Sequence, residues 1–188
     1  MPIKGKVADR LQSSMLSVPG RYKVANALML KGAWLCCVLG GVVFGLPALL
    51  IMFSVSLWQK ELRHDLPYVL VLGAAGLCLD TLWLHTGVLD YGSGAVGLPL
   101  GLTLAPAWIV MLWLAVGLSI RHSLIFLVNP PLFGALLVGC GSPLSYLTGE
   151  RFGAVEIPSM DGLVVLAAVW IGLFFAIFSW AKTRLTTD

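Results

Sequence analysis

From Val24 onward, long apolar blocks alternate with short polar joints. A helix rising 1.5 Å per residue needs about 20 predominantly apolar residues to cross a hydrocarbon core. Four blocks have that length, 66–87, 106–127, 130–149 and 161–181, and each is read as one spanning helix. The stretch 24–57 is too long for one ordinary crossing and slightly short for two. Gly40, Gly41, Gly45 and Pro47 lie in its middle, where a tight turn needs backbone freedom and a helix stop. That stretch is read as a hairpin of two shortish helices. The predicted fold class is all-α, a polytopic membrane helical bundle with six transmembrane helices.

Composition agrees with this reading. With 59% hydrophobic and 11% charged residues over 188 positions, the chain has too little polar surface for a soluble globule. Charge placement decides the number of crossings. With six, Lys4, Lys6, Arg10, Arg21, Lys23, Lys31, Lys60, Arg63, Arg121, Lys182 and Arg184 fall on one side, and Arg151 alone among the twelve Lys and Arg falls on the other. Basic residues mark the cytoplasmic side, so both termini are placed there. The outer joints carry Asp90, Glu150, Glu156 and Asp161. A single crossing over 24–57 would put either the basic N-terminus or the Lys60/Arg63 joint on the wrong side. The net charge of +3 is dispersed along this inner face, which argues against nucleic-acid binding.

Residues 1–23 form a basic segment, and 24–188 form a single six-helix domain. In the first segment Ile3, Val7, Leu11 and Met15 recur every four residues, with Lys4, Lys6 and Arg10 off that stripe, until Pro19-Gly20. It reads either as an interfacial helix on an anionic leaflet or as a tail that sets topology. No A-x-A cleavage site follows it, so the first span is expected to be the insertion signal. Cys36, Cys37, Cys78 and Cys140 lie inside apolar blocks without metal-ligand spacing and are read as packing residues. No metal and no cofactor are expected.

One acid escapes the alternation. Asp80 lies within the third span, where an ionised carboxylate costs about 2.5–3.5 kcal/mol on insertion scales. Gly73, Gly76, Asp80, Trp83 and Gly87 share a stripe, so a neighbouring helix can approach and Asp80 points at it. Thr81 and His85 lie on an adjoining face. The fifth span carries a second polar arc, Gly134, Gly141, Ser142, Ser145, Thr148 and Gly149, continued outward by Tyr146, Glu150 and Arg151. Pro143 frees carbonyls within this span, so the hydroxyls near it serve partly as replacement donors. Arg151 beside Glu150 and Glu156 reads first as a solvated surface pair. Asp80, His85 and Ser142 to Arg151 are expected at one outer depth.

On the fourth span Trp108, Leu112, Ala115, Ser119 and His122 share a face, with Arg121 and His122 emerging on the cytoplasmic side. Arg121 is a candidate for gripping a lipid phosphate, although topology alone accounts for a basic residue there. Trp58, Trp108, Trp170 and Trp180 read as interfacial anchors or packing. The sequence has no H-E-x-x-H helix, Walker A loop or G-x-S-x-G elbow. Gly32, Cys36 and Gly40 form a small-residue stripe suited to close helix contact, within one bundle or between two.

Several segments, taken in order, resemble one family: Trp34-Leu35-Cys36-Cys37-Val38-Leu39-Gly40, Gly76 with Leu79-Asp80-Thr81-Leu82, Ala105-Pro106-Ala107-Trp108 with Leu112-Trp113, His122-Ser123-Leu124, and Gly141-Ser142-Pro143-Leu144-Ser145-Tyr146 with Gly149-Glu150-Arg151-Phe152-Gly153-Ala154. The chain resembles a family of small bacterial inner-membrane proteins known only as a domain of unknown function, over about residues 24–181. Ser142 stands where that pattern has Gly in many members, and Arg121 where Asn is common. The resemblance implies a multi-pass protein of a bacterial inner membrane, with a hint of acyl-chain or envelope metabolism and no established activity.

Three functional readings follow. The leading one is an accessory protein that binds membrane lipids or a membrane-protein partner in a cleft between spans three, four and five, with a homo-oligomer as a further candidate assembly. Its candidate ligand-binding residues are Trp108, Arg121, His122, Ser142, Glu150 and Arg151. The second is a lipid-modifying enzyme with Asp80 as acid or base, His85 as its helper, and Ser145 and Tyr146 as polar contacts. The third is a small transporter with Asp80 as its proton site.

Overall fold

A computed structural model describes residues 20–187, so the amphipathic reading of residues 1–19 lies outside the described residues. The fold is mostly helical. Helix α1 covers Gly20–Trp58, α2 Leu62–Thr86, α3 Ala107–Gly117, α4 Pro131–Arg151 and α5 Met160–Thr187. Four of these, all but α3, are long and apolar enough to cross a membrane.

The longest helix is not one rod. Gly41 has φ 54° and ψ −135°, a conformation open almost only to glycine. A Cβ added to Gly45 would lie 3.5 Å from Cys37 Cα, although residues eight apart in a straight helix are separated by about 12 Å along the axis. The chain therefore doubles back at Gly41 into two arms, as the glycines and Pro47 predict. Ala33 on the first arm and Leu49 and Met52 on the second share one buried cluster with Val69, Ala115 and Leu118. Of the Gly32, Cys36, Gly40 stripe, Gly40 lies close against the Phe44 ring just past the reversal. Gly32 faces open space, and the arms also meet where Gly45 lets Cys37 in.

Helix α3 is the hub of one half of the molecule, packing against both α1 and α2, whereas α4 and α5 pack chiefly on each other. Small residues make these contacts close. Gly76 on α2 lies beneath the Trp113 indole, where a Cβ would come within 2.1 Å of the ring, and Gly117 lies against the Val69 backbone. Gly139 on α4 meets Ile171 and the Ala167 carbonyl on α5 in the same way.

The fourth predicted span, 106–127, is only partly helical. The α-helix ends at Gly117, and residues 118–127 continue as turns and a short 3-10 segment. The Leu118 carbonyl accepts a bond from Asn26 Nδ2 (3.2 Å) on the first arm of α1, and the Ser119 hydroxyl donates to the Ala115 carbonyl (2.8 Å). Side chains thus satisfy backbone groups where a continuing helix would have used its own ladder.

Between α2 and α3 a two-stranded ribbon forms from β1 (Val96–Gly97) and β2 (Thr103–Leu104). Asp90 and Glu156 exchange backbone bonds of 2.9 and 2.7 Å, joining the loop after α2 to the loop after α4. Large apolar side chains face outward along every long helix: Val24, Leu28, Val43, Leu70, Leu144 and Val164 are between 61% and 74% exposed. That surface suits lipid rather than water.

Replacing Gly41 with Ala forces a Cβ into its positive-φ conformation and should destabilise the fold by about 1–3 kcal/mol. Gly32→Ala, on an open helical surface, should be neutral or stabilise by up to about 1 kcal/mol. Thermal unfolding in detergent distinguishes the two. Equal effects would mean that Gly41 is not a conformational hinge.

Candidate functional site

Asp80 is fully buried and accepts three hydrogen bonds from three different segments. The Tyr91 hydroxyl donates to Oδ1 at 2.5 Å, the Tyr146 hydroxyl to the same oxygen at 3.1 Å, and Trp113 Nε1 to Oδ2 at 2.6 Å. One carboxyl therefore joins α2 to the following loop, to α3 and to α4. Gly76, one turn before Asp80, makes room for the indole that reaches it. The donors are themselves packed: Trp113 lies 4.8 Å from Trp170 between ring centroids, and Tyr91 meets Trp108 edge-on at 5.9 Å. In the loop, burial above all, with Tyr146 and Asp80 beside it, pushes the Tyr91 phenol well above its ordinary pKa. Tyr91 thus keeps its proton and stays a donor.

A second buried acid lies at the opposite end of α2. Asp65 is 0% exposed, and its Oδ2 accepts from the Ser56 hydroxyl (2.6 Å) and pairs with His122 Nε2 (3.0 Å). Its Oδ1 has no partner among the described residues. Beside it, Asn26 Oδ1 accepts from the Ser123 hydroxyl at 2.6 Å, and Arg121 pairs with Glu61 at 3.4 Å. This cluster fastens both arms of α1 to α2 and to the turns after α3. It lies about 22 Å from Asp80 by helical rise along α2.

Beside the Asp80 node, and lined in part by its donors Trp113 and Tyr146, lies an apolar cleft of about 200 Å³. Trp34 and Val38 on the first arm of α1, Trp108 and Leu112 on α3, Tyr146 on α4 and Trp170 on α5 wall it. It is bounded by the first, fourth, fifth and sixth predicted spans. The third span, expected to form one wall, is instead covered by α3. Polar groups are few: Trp34 Nε1 donates to the Ser145 hydroxyl at 3.1 Å, and Lys31 lines the wall.

The remaining candidates are dispersed. His85 is exposed, and its Nε2 lies 2.8 Å from the Thr103 carbonyl; among the described residues no hydrogen bond joins it to Asp80. Ser142 is buried and donates to the Gly139 carbonyl at 2.9 Å. That carbonyl is the one left without a helical donor by Pro143, four residues later. Glu150 accepts from the Ile157 amide at 2.9 Å and does not pair with Arg151, which is exposed and has no ion-pair partner among the described residues. His122 does not emerge on the surface but is 4% exposed and held by Asp65, and Arg121 is already engaged by Glu61. Trp108 is half-buried on the cleft wall. Among the described residues no group of three or more His, Cys, Asp or Glu could hold a metal ion.

The segments that build both nodes and the cleft lie almost wholly within residues 23–176, which match the model of one family, described as "Protein of unknown function (DUF2878)". The chain belongs to this family. No curated protein and no solved structure matches it. The family match spans Asp80, Tyr91, Trp113 and Tyr146 together, as well as Asp65 and His122.

Asp80→Leu leaves three buried donors without an acceptor and should cost more than about 3 kcal/mol of stability. Asp80→Asn should cost only about 1 kcal/mol, because its oxygen can still face Trp113 while the tyrosine oxygens accept from its amide. Thermal unfolding in detergent measures both. A fully stable Leu variant would remove Asp80 from the structural role assigned to it.

Proposed function

We propose that this protein is a six-crossing inner-membrane protein of a bacterium, with both termini cytoplasmic, that binds the acyl part of a membrane lipid in its lateral cleft. The observation carrying this reading is the tryptophan-lined slot between the first arm of α1 and the α3, α4, α5 group, with apolar walls and almost no charge. Pockets of this kind bind through apolar contact and use a few polar groups for orientation. The two arms of α1 count as two crossings. The turns after α3 complete a third in irregular backbone, tolerated at membrane depth because Leu118, Ile120, Ile125 and Leu127 are buried in protein.

In this reading Asp80 is a rivet and not an acid or base. All its partners are donors from protein side chains, and none of the cleft-lining groups is an acid. The family match is compatible with this function and does not supply it.

A phospholipid carrying a photoreactive diazirine in its acyl chain tests the cleft in nanodiscs. Cross-links should concentrate on Leu30, Trp34 and Leu112, and Val116→Phe should reduce them several-fold. Cross-links spread evenly over Leu70, Leu144 and Val164 would contradict the reading. For topology, single cysteines at Ser93 and Ser159 in a cysteine-free background should react with an impermeant maleimide from outside, and a cysteine at Gln59 only after lysis. The reverse pattern would invert the orientation.

A further inference from the structure

The cleft contains one charged group, Lys31, and its position narrows what the cleft can hold. We infer that the occupant is a single-chain anionic amphiphile, a fatty-acid carboxylate, whose head group is paired by Lys31 and whose alkyl chain lies along Trp34, Leu112 and Trp108. This rests on the lipid-binding reading above and names its ligand class.

Lys31 sits inside the first arm of α1, where the residues around it, Leu28, Met29, Leu30 and Gly32 to Leu35, carry no charge. No ion-pair partner engages it among the described residues, and no acidic side chain lines the cleft. Lys31 is exposed at the edge of this slot, and an ammonium there without a counterion complements an anion supplied by the occupant. Helical side chains lean toward the N-terminus, so the ammonium reaches toward the inner end of the arm, near the level of Asn26 and Ser123. That is the depth at which the polar end of an inner-leaflet amphiphile meets water, with its chain running outward.

The dimensions favour one chain. Along α3 the cleft wall runs from Trp108 to Val116, about 12 Å by helical rise. A volume of about 200 Å³ over that length accommodates one alkyl chain. The other wall, from Lys31 to Val38, has similar height. Ser145 is already engaged by Trp34 and Tyr146 by Asp80, so the far end offers no strong second polar anchor.

The test is binding of laurate to the purified full chain in detergent, measured by native mass spectrometry at pH 8, beside neutral monolaurin and a diacyl phosphatidylglycerol. Lys31→Gln should weaken laurate binding about tenfold and leave monolaurin unchanged, while Lys31→Arg should retain at least half of the wild-type affinity. Equal loss for laurate and monolaurin in Lys31→Gln would overturn the anion pairing. Phosphatidylglycerol binding more tightly than laurate would overturn the single-chain assignment. Either result leaves the cleft itself intact as an acyl site if monolaurin binds. Failure of all three ligands to bind, in a protein shown to be folded by its unfolding transition, would overturn the cleft reading and this inference with it.

Discussion

A carboxyl group carried into an apolar interior must find donors for its oxygens, and the rest of this structure is arranged around how Asp80 finds them. Its three donors come from a loop, from α3 and from α4, so no single element can shift without leaving a buried polar group unpaired. In a low-dielectric interior such an orphan is costly, which makes the network an all-or-none constraint. Gly76 is part of the same constraint, since any side chain there would displace the indole of Trp113. The aromatic stack of Trp113, Trp170 and Phe174 then carries the constraint across to α5.

The Asp65 node does at the other end what Asp80 does at the first. Ser56, His122 and Asn26 fasten the α1 hairpin and the irregular turns after α3. With polar fasteners at both ends, the middle of the molecule is left to apolar packing. The seam between the first arm of α1 and α4 and α5 is where that packing is incomplete. Helix α1 is held by α3 and by the Asp65 node, and toward α4 it is joined by the Trp34 to Ser145 hydrogen bond and the edge-on contact of Trp34 with Phe152. The cleft is thus a consequence of where the fasteners lie. In the proposed reading it is the functional part, and the buried acids are what hold it open.

Much of the architecture was legible in the chain. The apolar blocks located α2, α4 and α5 to within four residues at their starts, and the glycine cluster located the reversal of α1 because only glycine accepts the backbone found at Gly41. Asp80 stood out because its neighbours carry no other charge to explain it. Asp65 did not, because it follows Lys60, Glu61 and Arg63 in a joint that reads as surface; its burial depends on the turns after α3 folding over it. Those turns were unreadable for a related reason. Residues 118–127 end an apolar block of spanning length, and the Asn26 side chain that diverts the Leu118 carbonyl is 92 residues away in sequence. The donors Tyr91 and Trp113 were likewise hidden, since a tyrosine in a loop and a tryptophan in an apolar block carry no local sign of a distant acceptor.

Asp80 is thus a dry fastener, and the seam beside it is the binding site in the proposed reading. The most direct measurement is a high-resolution cryo-electron microscopy structure of the protein in lipid nanodiscs, with a rigid binder attached to increase particle size. Elongated density is expected in the cleft beside Trp34 and Leu112, with no water within hydrogen-bond distance of Asp80. A collapsed, empty cleft together with a water column reaching Asp80 would contradict this reading.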